Sequence, residues 1–332
     1  MKDEMKKNIF IFPIVFIFLA TFVLGFYLLR KSEVLEVWTE EDYQEQKMDD
    51  ENLKSKEKAR ILFVGDMMFD RWIRQVSSSK GFNFILSDVE NLLQSQDLVV
   101  GNLEGPITNN QSISLRSEFG SRENYIFTFP IETAQNIFKK NIRLVNIGNN
   151  HILNFGKSGL DETEKYLTKA VVDFFGDTGY AQKRFILKNI NGIKIAFINY
   201  NQFVKNSEDN FFNDLKEAKK LNPDFTIAYT HWGTEYVNAP NKNIVNLAHR
   251  FVDGGVDLVI GSHPHVVQTK EEYKGKMIYY SLGNFVFDQY FNLETQKGLT
   301  ISVDLKLPDK EISIQEYPVG LKSDGKTVLN AE

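Results

Sequence analysis

No cysteine occurs anywhere in the 332 residues. Disulfides, thiolate metal sites and cysteine nucleophiles are therefore excluded. A thiol-free chain is compatible with life outside a cell that has no oxidative folding system. Basic excess is also missing. The formal charge is -5 and the sequence pI about 5.7, whereas a phosphate backbone demands a basic face, so a nucleic-acid partner is excluded. Charges of both signs are spread along the chain, and no repeat of fixed period is present. A nucleotide loop is absent too. Gly156-Lys157-Ser158 has the end of a phosphate-binding loop, but His151 stands where its first glycine is required.

What is present begins with apolar residues, 42% of the chain, enough for one substantial core or two modest ones. Residues 9–29 form an uncharged apolar run interrupted only by Pro13, Thr21 and Gly25. A helix of roughly 20 residues crosses a bilayer core. Lys2, Lys6 and Lys7 precede the run, Arg30 and Lys31 follow it, and no small-residue cleavage site closes it. The reading is an uncleaved single-pass anchor at residues 1–30, with the N-terminus inside and the bulk of the chain outside the cell membrane. Residues 31–58 are rich in Glu, Asp, Lys and Gln and read as a polar stalk. Residues 59–332 then form the folded domain.

Short apolar runs recur in that domain, and each ends in polar residues. Ile61 to Val64 runs into Gly65-Asp66, and Leu98 to Val100 into Gly101-Asn102-Leu103-Glu104. Leu144 to Ile147 runs into Gly148-Asn149-Asn150-His151, and Ile195 to Ile198 into Asn199. Phe225 to Tyr229 runs into Thr230-His231, and Val256 to Ile260 into Gly261-Ser262-His263. Length, apolarity and β-branching make each a buried strand. Helical spacing lies between several of them. Ile244, Leu247, Ala248, Phe251 and Val252 share one face before Gly254-Gly255, and Ser158 with Asp161 resembles a helix start. Strands alternating with helices give an α/β class. From Gly298 onward apolar and polar residues alternate, as in antiparallel strands.

Asp66, Glu104, Asn150, His151, His231, His263 and His265 all follow strands, and they include four of the five histidines. Ligands bind beyond the strand C-termini of α/β sheets, so these residues are expected to converge on one side of one sheet. Carboxylate, amide and imidazole donors without sulfur suit one or two divalent ions, Mn, Fe or Zn. Such ions would activate water and clamp a phosphoryl oxygen, and a further histidine could protonate a leaving group. Single pieces have bland readings. Gly-Asp and Asn-Asn are common in turns. His263-Pro264-His265 is harder to dismiss, because two imidazoles flanking a proline grip something. His249 lies off the apolar face of its helix and reads as a surface residue.

These residues resemble a known family. Gly65-Asp66-Met67-Met68-Phe69-Asp70-Arg71, Asn102-Leu103-Glu104-Gly105-Pro106, Asn149-Asn150-His151 and His231-Trp232-Gly233 with Glu235-Tyr236 are similar to motifs of the CapA-type capsule and poly-γ-glutamate synthesis proteins. Gly261 to Gln268 and Tyr280 to Asp288 extend the match in order. That family resembles a branch of the calcineurin-like metallophosphatases. The resemblance implies a layered β-sandwich flanked by helices with a dimetal site. It implies Asp66 and His265 on one metal, Glu104 bridging, and Asn150, His231 and His263 on the second. It further implies His151 as general acid and Arg71 as a clamp for a substrate anion. Three positions depart from the wider pattern. Met68 stands in place of a histidine, Glu104 in place of an aspartate, and Asn154 in place of an aspartate.

Two functions fit these expectations. One is a membrane-anchored metal-dependent hydrolase acting on a phosphate ester or on an anionic polymer. The other is a non-catalytic subunit of a polymer synthesis or export complex, working beside synthase and export subunits, with a vestigial metal site. A third, a binding module with a purely structural metal, sits poorly with the spare His151 and Arg71, since structural sites are closed.

Overall fold

The structure is a computed structural model that describes residues 57–180 and 183–330. The apolar run at residues 9–29 and nearly all of the polar stalk lie outside the described residues. Among the described residues no helix is long and apolar enough to cross a membrane. The stalk expected to reach residue 58 ends sooner, because Lys58 already opens the first strand.

Two sheets form the frame. The first carries β1 (Lys58–Met67), β2 (Leu98–Leu103), β3 (Ile142–Asn146) and β4 (Asp173–Phe175), all mutually parallel. Three antiparallel strands extend it beyond β1: β12 (Lys297–Lys306), β13 (Glu311–Leu321) and β14 (Thr327–Leu329). In the second sheet β5 (Phe185–Ile190) is an antiparallel edge to β6 (Ile193–Asn201). Parallel to β6 run β7 (Phe225–His231), β8 (Leu258–Ser262) and β10 (Lys276–Tyr279), and β9 (Lys270–Tyr273) closes the far edge. The short β11 (Asn284–Val286) returns from the second sheet to pair with the end of β1, placing Asn284 opposite Asp66.

The apolar runs follow from burial on both faces. Along β1, Ile61 and Phe63 face the second sheet, where they meet Phe197, Tyr229 and Ile260. Leu62 and Val64 face the other way, toward α1 (Arg71–Lys80), α4 (Thr133–Lys139) and α5 (Gly156–Lys169). The outer face of the second sheet is covered by α6 (Ser207–Lys220) and α7 (Lys242–Asp253), through Phe211, Leu247 and Phe251. The result is four layers, helix, sheet, sheet and helix. Two shorter helices, α2 (Phe82–Ile85) and α3 (Glu90–Gln94), complete the first outer layer. Between the sheets, Tyr229 Oη donates to Val64 O at 2.7 Å, two residues short of Asp66.

Two expectations change. The residues expected at the edge of one sheet come from two, because the parallel strands of both sheets end on the same side. Ser158 does not start its helix. Gly156 does, and Lys157 instead pairs with Asp161 one turn on at 2.7 Å. The α7 face matches its expected pattern, with Asn241 capping the helix through Asn243 N and Ile244 N.

The approach of β11 to β1 requires glycine at position 65. A Cβ there would lie 1.9 Å from Gly283 O, beside the bond from Asp66 N–H to that same oxygen. Gly65→Ala should therefore lower unfolding stability by about 1–3 kcal/mol, the usual cost of overpacking a buried contact. Urea unfolding measures this, and an unchanged midpoint would show that β1 and β11 do not meet as described.

Candidate metal centre

The strand ends carry the site. Asp66 is the penultimate residue of β1, and Glu104 follows β2 directly. Asn149, Asn150 and His151 form the bend after β3. His231 is the last residue of β7, and His263 comes straight after β8. His263 has φ 97° and His265 φ 59°, both in the left-handed region that residues with side chains seldom adopt. Such strain persists where surroundings over-determine it, typically at functional sites. Here it holds the two imidazoles, 4% and 2% exposed, on either side of Pro264.

Asn102 organises the carboxylates. Its Nδ2 donates to Asp66 Oδ1 at 2.8 Å and lies 3.3 Å from Glu104 Oε2. Its Oδ1 accepts from Asn146 Nδ2 at 2.9 Å and Asn149 Nδ2 at 3.1 Å, which fixes the orientation of the amide. The other Asp66 oxygen accepts from His263 N–H at 3.1 Å.

Neighbours also orient the imidazoles. The Ser262 hydroxyl donates to Thr230 O at 2.7 Å, and in the tautomer with His231 Nδ1–H donating to Ser262 at 3.0 Å, Nε2 is a bare lone pair. In the other tautomer Nδ1 accepts from Asn102 Nδ2 at 3.3 Å and Nε2–H donates to Asn150 Oδ1 at 2.8 Å. Asn284 Nδ2 donates to Gln289 Oε1 and Thr295 O, so its Oδ1 accepts from His265 Nδ1–H at 3.0 Å. His265 Nε2 is then free, 3.5 Å from Glu104 Oε1. Outer hydrogen bonds of this kind orient metal-ligating histidines.

Ligand atoms gather in three overlapping sets, each within 4.8 Å: Asp66, Glu104 and His265; Glu104, His231 and His263; and Glu235, His263 and His265. Glu104 belongs to the first two sets, the place a bridging carboxylate occupies. Glu104 Oε1 and His263 Nδ1 are buried with no hydrogen-bond partner. Orphan buried polar atoms are rare and costly. Two orphans amid clustered carboxylates and imidazoles are what a donor set built for cations leaves when cations are not counted. The residues therefore fit a divalent metal.

The electrostatics agree. Burial pushes the Asp66 carboxyl up to about 6, and it raises Glu104 further, with the Asp66 charge adding to the effect. Burial lowers His231 and His265 well below the ordinary imidazole value, and takes His263 down to about 3. The imidazoles are thus neutral donors at neutral pH, while Glu104 retains a proton that a cation would replace and Asp66 takes one up as the pH falls through about 6.

His151 and Arg71 stand beside the sets. Asn154 Nδ2 is 3.3 Å from His151 Nδ1, and with that nitrogen accepting, Nε2 carries the proton. Burial foremost, then Asn154 in opposition and nearby Arg71, bring His151 down to about 4. The Arg71 fork is already engaged. One end pairs with Asp288, the other reaches Asn124 Oδ1 at 3.2 Å, and the Phe127 and Phe287 rings flank it at 5.0 and 5.6 Å. Arg71, Tyr125, Tyr236, Asp288, Gln289 and Phe291 line a cleft of about 390 Å³.

Sequence reasoning singled out neither Asn102 nor the orienting pair Ser262 and Asn284. It quoted Glu235 and Asp288 without giving them roles. All five lie inside the quoted motifs, so the signal was present as motif membership and lacked only the pairing. Met68 turns into the outer core, where its Sδ accepts from Asp70 N–H at 3.0 Å. His249 is half-buried rather than free, stacked on Tyr273 at 3.8 Å and bonded to Glu271 at 2.5 Å.

Residues 60–289 match the family described as Bacterial capsule synthesis protein PGA_cap. The PGA biosynthesis protein CapA of Bacillus subtilis (strain 168) is 31% identical over 307 residues, 87% of this chain and 74% of that protein. The capsule biosynthesis protein CapA of Bacillus anthracis is 30% identical over 260 residues, 71% of this chain. The match spans 61% of that second relative, under two thirds of its length. A solved structure, TT1561 of Thermus thermophilus, aligns with a TM-score of 0.43 at 11% identity, over 77% of this chain and 98% of that one. A likeness that loose carries no argument. The family match covers most of the chain and includes every ligand-type residue of the centre, so this chain belongs to the bacterial capsule synthesis (PGA_cap) family.

Proposed function

We propose that this chain is a metal-dependent hydrolase of phosphoesterase type that works in capsule or poly-γ-glutamate synthesis or export. In this reading the apolar run at residues 9–29 anchors it in the cell membrane with the domain outside, beside synthase and export subunits. Its substrate is a phosphate ester or an anionic polymer. One observation carries the chemistry: buried Glu104 Oε1 and His263 Nδ1 have no partner, in the middle of a set of metal-ligating side chains.

Asp66, Glu104 and His265 would hold one ion, and Glu104, His231, His263 and Asn150 a second. Bound divalent ions supply Lewis acidity and activate water. The chain's own residues do the rest. Asn102, Ser262 and Asn284 hold the donors in register. His151 presents Nε2–H to the leaving oxygen. At neutral pH the ring is uncharged and acts as a hydrogen-bond donor; a substrate anion beside it would raise its pKa, so that it could take a second proton from solvent at Nδ1 and pass the Nε2 proton to the leaving oxygen. Arg71 and Asp288 shape the cleft beside it.

A second reading, a non-catalytic subunit, draws on Met68. Where a metal-binding imidazole belongs, a thioether faces the core. Activity separates the two readings.

His265→Ala and Glu104→Ala should each lose at least one bound ion while keeping the circular dichroism of the parent. Elemental analysis of the purified full chain tests this, and unchanged metal content in both variants would remove the site assignment. His151→Ala should keep its metal but lose turnover of a generic phosphoester by about 10²-fold or more. Metal-loaded protein with no turnover in any variant would favour the subunit role.

Affinity for Mn²⁺ should weaken as the solution is acidified through pH 6. The raised carboxyls of Asp66 and Glu104 hold protons there that the ion must displace, while the lowered imidazoles do not compete. Each displaced proton changes the dissociation constant about tenfold per pH unit below its pKa. Calorimetric titrations on either side of pH 6 read the slope, and a flat profile would show that these carboxylates are not ligands.

A further inference from the structure

The ligand sets named so far leave one carboxylate without a task. Glu235 sits in the loop between β7 and α7, half-buried, four residues after His231. The loop is pinned on both sides of it. Gly233 N–H donates to Gln202 Oε1 at 2.8 Å, and Gln202 Nε2 donates back to Gly233 O at 3.2 Å. Tyr236 N–H donates to Pro264 O at 2.8 Å. Pro264 lies between the two site histidines, so this bond ties the loop to the turn that positions them. Gly233 at φ 92° and Tyr236 at φ 63° bend the chain on either side of Glu235. The Tyr236 ring stacks against His265 with centroids 6.1 Å apart. A strained non-glycine backbone is retained where something depends on the placement it gives.

The placement brings a Glu235 oxygen and one nitrogen each of His263 and His265 within 4.8 Å of one another. His263 is 4% exposed, and its Nδ1 has no partner. The third carboxylate also adds negative charge beside Asp66 and Glu104. Arg71, the nearby guanidinium, is committed to Asp288. Three carboxylates gathered without a cation of their own cannot all ionise together, and a positive ion among them would take the place of the protons they otherwise keep. Meanwhile Met68 lies in the core, so the position where the resemblance implies a metal-binding histidine offers no imidazole.

We propose that Glu235 is itself a metal ligand: with His263 and His265 it closes the more exposed side of the centre and supplies the donor that Met68 does not. The inference rests on the metal-binding reading of the preceding section and adds a residue to it. It also gives the centre a third carboxylate. Carboxylate-rich sets without sulfur favour harder divalent ions, so Mn²⁺ is the expected occupant ahead of softer ones.

The test uses the full chain with Glu235→Gln and Glu235→Ala, and Mn²⁺ as the probe. Metal affinity is read by calorimetry and Mn²⁺ paramagnetic resonance, and melting temperature is recorded with chelator and with Mn²⁺. Both variants should bind Mn²⁺ about tenfold or more weakly than the parent, since even outer-shell changes cost that much. Without metal both should melt about 2 °C or more higher, because a repelling charge has gone. With Mn²⁺ the order should reverse. That crossing is a signature a merely structural loop residue would not give. Parental Mn²⁺ affinity in both variants would overturn the ligand role of Glu235 alone and leave the other ligands in place. A lower melting temperature in chelator would overturn it as well, by showing that the residue stabilises the metal-free fold. A parent chain that binds no Mn²⁺ would overturn both this inference and the reading beneath it.

Discussion

Asp66 and Glu104 are fully buried, and a single amide, Asn102 Nδ2, lies within 3.3 Å of both. Two carboxylates withdrawn from water at that range resist joint ionisation. Much of the surrounding structure can be understood as holding them there. Asn102 cannot turn away, since Asn146 and Asn149 both donate to its oxygen. Asp66 is gripped on its far side by the backbone of His263. The histidines opposite are buried, neutral and held by Ser262 and Asn284. Among the described residues, no lysine or arginine forms an ion pair with either acid. Protons can balance that charge, and a divalent cation has the size, charge and donor preference to replace them.

Such crowding at strand ends demands close backbone approach. Glycines stand at the crossing points. A Cβ on Gly261 would come within 2.0 Å of Tyr280 O, and one on Gly148 within 2.1 Å of Asn199 Oδ1. The glycine that precedes each polar cluster therefore has a packing reason as well as a turn reason. It lets β11 and the β8–β10 crossover come near enough for Asn284 to hold His265, and for His265 Nε2 to come within 3.5 Å of Glu104. The inter-sheet core fixes the same geometry from below. Phe63, Phe197 and Tyr229 interlock there, with ring centroids 6.3 and 6.4 Å from Phe63. The distance between the acids of one sheet and the imidazoles of the other is thus set by aromatic packing.

The parallel strands were legible because burial on both faces leaves continuous apolar runs, and the polar residue ending each run marks the sheet's C-terminal side. The α7 face was legible through its 3.6-residue spacing. Strands such as β9 and β14 were not, because β9 is short, half-exposed and polar and β14 is only three residues long (Thr327–Leu329). The division into two sheets was hidden as well. Runs of equal apolarity do not say which sheet a strand joins, so Asp66 and His231 looked like neighbours on one edge. Residue types told which side chains can hold a metal, but hydrogen-bond pairing is a property of space. Asn102 in the sequence is one asparagine among many, and only the fold makes it the amide between two acids. Arg71 shows the same limit. Its fork was readable as a clamp for anions, while its partner Asp288 lies more than 200 residues away.

That pairing bears on how an anion would be selected under the proposed function. Arg71 and Asp288 are 12% and 8% exposed, between the rings of Phe127 and Phe287. Removing one member of a buried pair costs about 3–5 kcal/mol, because the other charge is stranded. A neutral group entering the cleft cannot repay that cost, so it leaves the pair intact. A phosphate or carboxylate can take the place of Asp288 on the guanidinium. The arginine thus rewards only negative charge, and the flanking rings favour a planar guanidinium contact over a loosely hydrated one. Under the proposed function Arg71 would therefore select for negative charge, and an incoming anion would have to compete with Asp288 for the guanidinium before it came near His151.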